Sequence, residues 1–286
     1  MQIPMTSAPA LTPAQTPAQP SALTSTLRDS LASATRPLVG MWVCSGSPLV
    51  AEICAGGGVD WLLIDMEHAA NGLASVLAQL QAVAAYPVDA VVRVPSADPV
   101  VIKQVLDLGA RTVLVPMVSS AALAAEVVAA AHYPPVGRRG VGSALSRSAR
   151  WNRIGDYLAQ AAAHVSVLVQ IETAEAVANA SAIAAVDGVD GVLVGPSDLA
   201  ASMGLLGQQT HPEVTAAVRA AIAGVTAAGV PAGVNAFDPA VADAYVETGA
   251  SFVLVGADVT VLARASESFA TRFRTGTGGR GVSGEH

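Results

Sequence analysis

Nine polar residues stand at or just beyond the C-terminal ends of short apolar runs in this 286-residue chain. They are Asp65, Glu67 and His68 after WLLIDM, Arg93 in AVVRV, Gln170 and Glu172 in VSVLVQIE, Ser197 and Asp198 after GVLVG, and Asn235 in AGVNAF. Only 13% of the residues are charged, so this concentration is informative. An arginine between Val92 and Val94, at the end of a buried strand, must find an anion. Carboxylates such as Glu172 and Asp198 suit a hard divalent cation, Mg²⁺ or Mn²⁺, and no Cys or paired His joins them to suggest structural zinc. Two carboxylates, a His and an Arg on one rim fit a metal-assisted site in which the ion polarises a chelating 2-oxo acid and stabilises an enolate.

Each residue also has a plainer reading. Asp198 follows Gly-Pro-Ser and precedes LAASMG, so it reads equally as a helix N-cap. Glu172 suits a solvated rim as well as a metal, and a lone histidine such as His68 is often structural. The glycines at 56 to 58 and the RRGVG of 138 to 142 lack a Walker lysine or a GxGxxG pattern, which argues against a nucleotide. Of the 15 basic residues, 14 are arginines and one, Lys103, is a lysine. It lies in IKQVLDLG, on an amphipathic helix distant from any strand end, so Schiff-base chemistry has a single poorly placed candidate.

What must position the rim residues is a set of buried strands. Apolar runs recur at 38 to 43, 61 to 66, 90 to 94, 112 to 117, 165 to 172, 191 to 195, 232 to 237 and 252 to 256. They are continuous rather than alternating, as strands covered on both faces should be. Ala-rich helical stretches lie between them, opened by Ser119 before 120 to 131, Thr173 before 174 to 185, Pro212 within 212 to 228, and Asp238-Pro239 before 240 to 248. Eight alternating strands and helices without a nucleotide fingerprint predict a closed (β/α)8 TIM barrel, whose active site collects at the C-terminal strand ends. Asp60, Asp89 and Asp190, at the opposite ends, read as solvated turn residues. One long connection, from Met117 to a helix ending at 163, carries five of the fourteen arginines.

Composition narrows the partners. The net charge of −7 and the lack of a basic stripe argue against nucleic acid. No apolar stretch reaches 18 residues unbroken, so no membrane span is predicted. Cys44 and Cys54 match no metal or redox spacing, and with no signal-like start the expected location is cytoplasmic. Residues 1–23, rich in Ala, Pro and Thr, read as a disordered tail and 275–286 as a flexible Gly-rich one. A single domain over 24–274 is expected between them, of the usual barrel size.

The motifs DWLLIDMEHAAN (60 to 71), DPVVIKQVLDLGARTVLVPMV (98 to 118), YPPVGRRGVGSALSRSARWNRIGDYL (133 to 158), LVQIET (168 to 173) and GPSDLAASMG (195 to 204) resemble the divalent-metal-dependent 2-oxo acid aldolases of the citrate-lyase-like family. The likeness runs from about residue 24 to about 274. It implies a barrel of the pyruvate/phosphoenolpyruvate-binding type, with the last helix exchanged between subunits and a homohexamer built as a trimer of dimers. It implies a carbon–carbon lyase that reversibly cleaves a 4-hydroxy-2-oxo acid. The foremost expected substrate is 4-hydroxy-2-oxoheptanedioate, giving pyruvate and succinate semialdehyde in aromatic-compound catabolism. By position, Glu172 and Asp198 match the metal ligands, for Mg²⁺ or Mn²⁺ with Co²⁺ as a further option. Gln170, Ser197 and Asp198 match contacts to the oxo acid, His68 the catalytic histidine, and Arg93 the group steadying the enolate oxygen. Asp107, which otherwise reads as a surface helix residue, matches an acid that pairs with the histidine. Met66 and Ser197 depart from the family pattern. The alternatives are an aldolase for 2-dehydro-3-deoxy sugar acids such as glucarate or rhamnonate derivatives, a CoA-thioester lyase, and a catalytically silent paralogue. Arg147 or Arg150 is a candidate for the distal carboxylate of a dicarboxylic substrate, across a subunit boundary.

Overall fold

A computed structural model describes residues 25–275. Eight parallel strands close into one barrel in sequence order: β1 (Leu38–Val43), β2 (Trp61–Asp65), β3 (Asp89–Arg93), β4 (Thr112–Val115), β5 (Ser166–Ile171), β6 (Gly191–Val194), β7 (Ala232–Asn235) and β8 (Ala250–Ala257). The expected (β/α)8 architecture is therefore present, with strand ends displaced by a residue or two. The expected tails at 1–23 and 275–286 lie outside the described residues, apart from Thr275, which ends the last helix.

The strand pleat sorts side chains between two cores. Leu62, Ile64, Val92, Val113, Val167, Val169, Val192 and Val234 point outward and pack under the helices. Trp61, Leu63, Val91, Leu114, Leu168, Leu193, Phe252 and Leu254 point inward and fill the barrel. Large inward rings require small neighbours. A Cβ on Gly40 would lie 2.2 Å from the Trp61 ring, and one on Gly233 would lie 2.2 Å from Phe252. The two rings meet edge to face, with centroids 5.7 Å apart.

The outer helices are α2 (Pro48–Ala55), α3 (Leu73–Ala82), α4 (Pro99–Asp107), α5 (Ala121–Ala131), α6 (Tyr157–Gln160), α7 (Ala174–Ala178), α8 (Ala180–Ala184), α9 (Pro196–Ser202), α10 (Pro212–Ala227), α11 (Pro239–Glu247) and α12 (Asp258–Thr275), after a first helix α1 (Leu27–Ser33). Side-chain caps fix the starts of several: Ser47, Asp98, Ser120, Thr173 and Asp238 each accept a first-turn N–H. Sequence periodicity did not anticipate α1. It begins with a Thr26–Asp29 capping box and inserts Leu27 into the N-terminal mouth of the barrel. The single helix expected over 174 to 185 is broken at Asn179, whose side chain donates to the Ser119 carbonyl. In the long connection, the expected second helix shrinks to the four residues of α6.

The acidic residues at the N-terminal strand ends are structural rather than simply solvated. Asp60 accepts the Val39 N–H and Asp190 the Val167 N–H, both at 2.8 Å, so each start of one strand ties down the preceding strand. The last helix departs from the packed ring. From Val259 onward every residue of α12 up to Arg274 is exposed except Ala263, and Val259, Leu262, Phe269 and Phe273 form one apolar stripe. Among the described residues, no helix is long and apolar enough to cross a membrane.

Candidate active site

The inward parity that places Trp61 and Leu63 inside the barrel continues to Asp65 at the C-terminal end of β2. The same rule turns Arg93 of β3, Gln170 of β5 and Asn235 of β7 into that mouth. Arg93 and Asp65 are both buried there and form a two-pronged pair, Nε to Oδ1 at 2.7 Å and Nη2 to Oδ2 at 2.8 Å. The Arg93 Nη1 lies 2.9 Å from Glu67 Oε2, and the guanidinium stacks 4.4 Å above the Trp42 ring. Its Nε–H and one Nη2–H are thus committed to Asp65, while Nη1 meets Glu67 as an ion pair without hydrogen-bond geometry, leaving an N–H on each Nη nitrogen for an incoming oxygen. Trp42 is itself fixed by its Nε1–H, which donates to Asn235 Oδ1 at 2.8 Å.

Asp65 also orders the loop that carries the histidine. Its oxygens accept the backbone N–H groups of Glu67 and His68 at 3.0 and 3.3 Å. Burial pushes the Asp65 carboxyl up, but the Arg93 bonds and charge and these two N–H groups outweigh it, leaving it below the ordinary range. His68 stands at the rim with its side chain 65% exposed, its Nε2 3.9 Å from Glu67 Oε2.

Across the mouth, Glu172 follows β5 and is only 2% exposed. Gln170 Nε2 donates to its Oε2 at 2.5 Å, and the Met117 backbone N–H donates to Oε1 at 2.6 Å. Met117 does so from a left-handed backbone conformation, φ 57°, just after β4 stops at Val115. Burial pushes the Glu172 carboxyl up to about 7; the Met117 bond opposes this, and the neighbouring Glu67 and Asp198 carboxylates add to it. Burial likewise raises Glu67 against the lowering field of Arg93. Ser197 and Asp198 are exposed in the first turn of α9, where Gly195 and Pro196 start the helix. Trp42, His68, Arg93, Gln170, Asp198 and Asn235 line a cavity of about 150 Å³.

The residues present fit a divalent cation. Four carboxylates, those of Asp65, Glu67, Glu172 and Asp198, face a single arginine, and Glu67 and Glu172 are both raised, first by burial and then by neighbouring carboxylate charges. The buried Gln170 Oε1 has no hydrogen-bond partner. Among the described residues no three His, Cys, Asp or Glu side chains form a ready cage, so two carboxylates with solvent or substrate oxygens are the available donor set.

The fold thus brings His68, Arg93, Gln170, Glu172, Ser197 and Asp198 to one mouth. Asp107 is elsewhere: it ends α4, whose last turn faces the N-terminal mouth, and it pairs with Arg139 Nη2 at 2.6 Å. Arg147 and Arg150 also stand at that opposite mouth, beside Gly109 and Thr112, and reach the site of their own chain in neither case. Asp65 and Glu67 were legible as rim residues without a role; the parity Trp61, Leu63, Asp65 was the available signal. Trp42 and Met117 carried no such signal, since one reads as core and the other as the end of a strand.

The family model described as HpcH/HpaI aldolase/citrate lyase matches residues 38–265. A protein of Salmonella dublin named 4-hydroxy-2-oxo-heptane-1,7-dioate aldolase is 52% identical over 257 residues, covering 90% of this chain and 97% of its own. A protein of the same name from Salmonella typhi is 54% identical over 246 residues, covering 86% and 93%. A crystal structure of an HpcH/HpaI aldolase/citrate lyase family protein from Burkholderia cenocepacia J2315 superposes with a TM-score of 0.83 at 42% identity, covering 87% of this chain and 98% of that one. Both activities in the family description act on a carbon–carbon bond, which is the expected lyase class. With the barrel, the shared mouth and a match across most of its length, the chain belongs to the HpcH/HpaI aldolase/citrate lyase family.

Proposed function

We propose that this protein reversibly cleaves 4-hydroxy-2-oxoheptanedioate to pyruvate and succinate semialdehyde, with a divalent ion, Mg²⁺ or Mn²⁺, held by Glu172 and Asp198. The observation that carries the reading is the buried Glu172 carboxylate, positioned by Gln170 and Met117 in the field of Asp198, Glu67 and Arg93. Relatives that share half of the sequence and bear that substrate in their name support it.

When bound, the ion supplies positive charge to the carboxylate and 2-oxo oxygens of the substrate. Gln170 and Ser197 orient the acid. The two uncommitted N–H groups of Arg93 meet the 2-oxo oxygen, where negative charge grows as the C3–C4 bond breaks, and the Asp65 fork keeps them aimed there. His68 takes the 4-hydroxyl proton in the cleavage direction and returns a proton to C3 of pyruvate. The Trp42 ring under Arg93 helps exclude water from the guanidinium.

Asp107 serves a histidine in this reading only across a boundary between copies, since in its own chain it sits at the other mouth. The exposed stripe of α12 supports association of copies, in keeping with exchange of the last helix and a hexamer. The free thiols Cys44 and Cys54 support a reducing, cytoplasmic setting.

The test is a lactate-dehydrogenase-coupled assay of pyruvate release from a panel of 4-hydroxy-2-oxo acids. Activity is expected to vanish in EDTA and return with Mn²⁺ or Mg²⁺, with the heptanedioate the preferred substrate. Activity that persists in EDTA and is destroyed by borohydride would overturn the metal assignment; a sugar-acid substrate turned over faster would overturn the substrate.

A further inference from the structure

A second cavity, of about 560 Å³, opens at the N-terminal mouth of the barrel, remote from Glu172 and Asp198. Its walls are α1, through Ser30, the first residues of β3 and β4, and the segment around 147 to 150 of the long connection. Three arginines line it: Arg111, Arg147 and Arg150. In a chain of net charge −7 with 15 basic residues, three guanidinium groups in one concavity run against the overall field.

Their surroundings differ. Arg111 lies in the field of Asp29 and Asp89, and its Nη2 meets His164 Nδ1 at 3.2 Å. Asp60, also in the wall, is committed to Arg36 at 2.7 Å and to the Val39 N–H. Arg147 uses Nη1 on the Leu108 carbonyl, 3.0 Å away, and lies over Gly109, where a Cβ would come within 2.7 Å of it. Among the described residues the Arg150 side chain makes no hydrogen bond or ion pair, and no carboxylate pairs with Arg147 either. These two arginines repel: burial and then the Arg150 charge push the Arg147 guanidinium down. The 24 residues that precede Ser25, itself in the wall, contain no Asp or Glu and bring no countercharge.

We propose that this cavity binds a small molecule bearing an oxyanion group, phosphate or carboxylate, which bridges Arg147 and Arg150. Planar guanidinium forks match the oxygens of either group, and the volume lies in the range of small-molecule pockets. Within one chain the site lies at the mouth opposite the one that cleaves the 2-oxo acid, and the proposal does not depend on that assignment.

The test is calorimetric titration of the full chain with inorganic phosphate and, separately, with succinate, in both cases with pyruvate saturating the other mouth. Saturable millimolar or tighter binding of at least one probe is expected, and which one binds distinguishes a phosphate from a carboxylate ligand. Arg150→Gln removes no hydrogen bond or ion pair among the described residues and is expected to weaken that binding about tenfold or more. Arg147→Gln should do the same, while Arg147→Lys, which keeps the charge, should retain more of it. Arg153→Gln is the charge-matched control, because Arg153 lies over the Trp151 ring, 5.5 Å away, outside the cavity wall. No saturable binding of either probe, displacement by pyruvate, or equal weakening in Arg153→Gln overturns the proposal.

Discussion

Arg93 and Asp65 face each other as two parallel hydrogen bonds at 2.7 and 2.8 Å, both side chains buried, on adjacent strands whose register pairs these two residues. The pair aims the remaining N–H groups of Arg93 into the mouth. Breaking a buried pair by removing one partner leaves a desolvated charge, so Asp65→Ala is expected to cost about 3–5 kcal/mol in urea unfolding. Arg93→Lys keeps the charge but not the fork, and should lower kcat about a hundredfold with a smaller loss of stability. A lysine variant with near-normal kcat would show that the fork is not what the reaction uses.

His132 and Asp65 are among the groups whose depressed pKa lowers stability in acid. Burial lowers the pKa of His132, helped by the charges of Arg139 and Arg28 and opposed by Asp190 and Asp187. A depressed base holds fewer protons folded than unfolded, so its contribution is complete above its ordinary value of about 6.5 and is lost as pH falls below it. Asp65, also depressed, contributes fully above about 3.9 and loses this only at lower pH. Glu172, raised by burial to about 7, gains stability as pH falls and opposes the His132 loss, so two declines should appear in chemical denaturation of a Glu172→Gln background from pH 7.5 to 3. His132→Gln should flatten the upper one, and Asp65→Asn the lower one only. A single decline unaffected by His132→Gln would contradict the first assignment.

The distance between the readable and the unreadable parts of this chain is set by how local the physics is. Glu172 and Arg93 stood out because a charge ending an apolar run has a cost that must be met, and strand parity then put them on one side. Leu27 did not stand out: its helix is short, and its burial comes from plugging a mouth that exists only once all eight strands close. Asn179 breaks a helix through a carbonyl 60 residues away in sequence. Met117 positions Glu172 through a backbone N–H, which any residue type possesses. The mouth in which Asp107 lies follows from helix direction, but its partner Arg139 lies on a loop without periodicity.

Gly195 closes the floor beneath the two donors of β5. A Cβ there would come within 2.8 Å of Gln170 Nε2 and 3.0 Å of Glu172 Oε2. Its own backbone, φ −102° and ψ 96°, suits any residue, so Gly195→Ala carries no conformational penalty and acts through the displaced side chains. The expected outcome is a nearly unchanged melting temperature with Mn²⁺ activation shifted about 10–100-fold to higher concentration. Unshifted activation would mean that Glu172 does not hold the ion.

Trp42 and Asn235 illustrate the asymmetry of buried hydrogen bonds. Asn235→Ala leaves the indole N–H without its acceptor and should cost about 1–3 kcal/mol. Trp42→Phe strands the amide in the same way. The double variant Trp42→Phe/Asn235→Leu removes both polar partners, and its loss should be well below the sum of the single losses. Additive losses in such a double-mutant cycle would show that the 2.8 Å contact contributes little.

Asp107 and His68 stand at opposite mouths of one barrel, so Asp107 can support a histidine only in another copy. Arg139, with its side chain fully buried, holds Asp107 in place by the 2.6 Å contact and stacks 4.6 Å over Tyr133. His68→Asn and Asp107→Asn should each be nearly inactive when expressed alone. Co-expressed, they should form mixed assemblies in which some mouths combine an intact His68 with an intact Asp107 from a neighbour, and pyruvate release should return in part. The same mixture carrying Phe269→Glu and Phe273→Glu on both chains should sediment as smaller species and fail to regain activity, which tests the exposed apolar stripe of α12 as the proposed contact between copies. Failure of complementation in assemblies shown to be mixed would remove Asp107 from the mechanism, since no other arrangement of one chain brings it to the histidine.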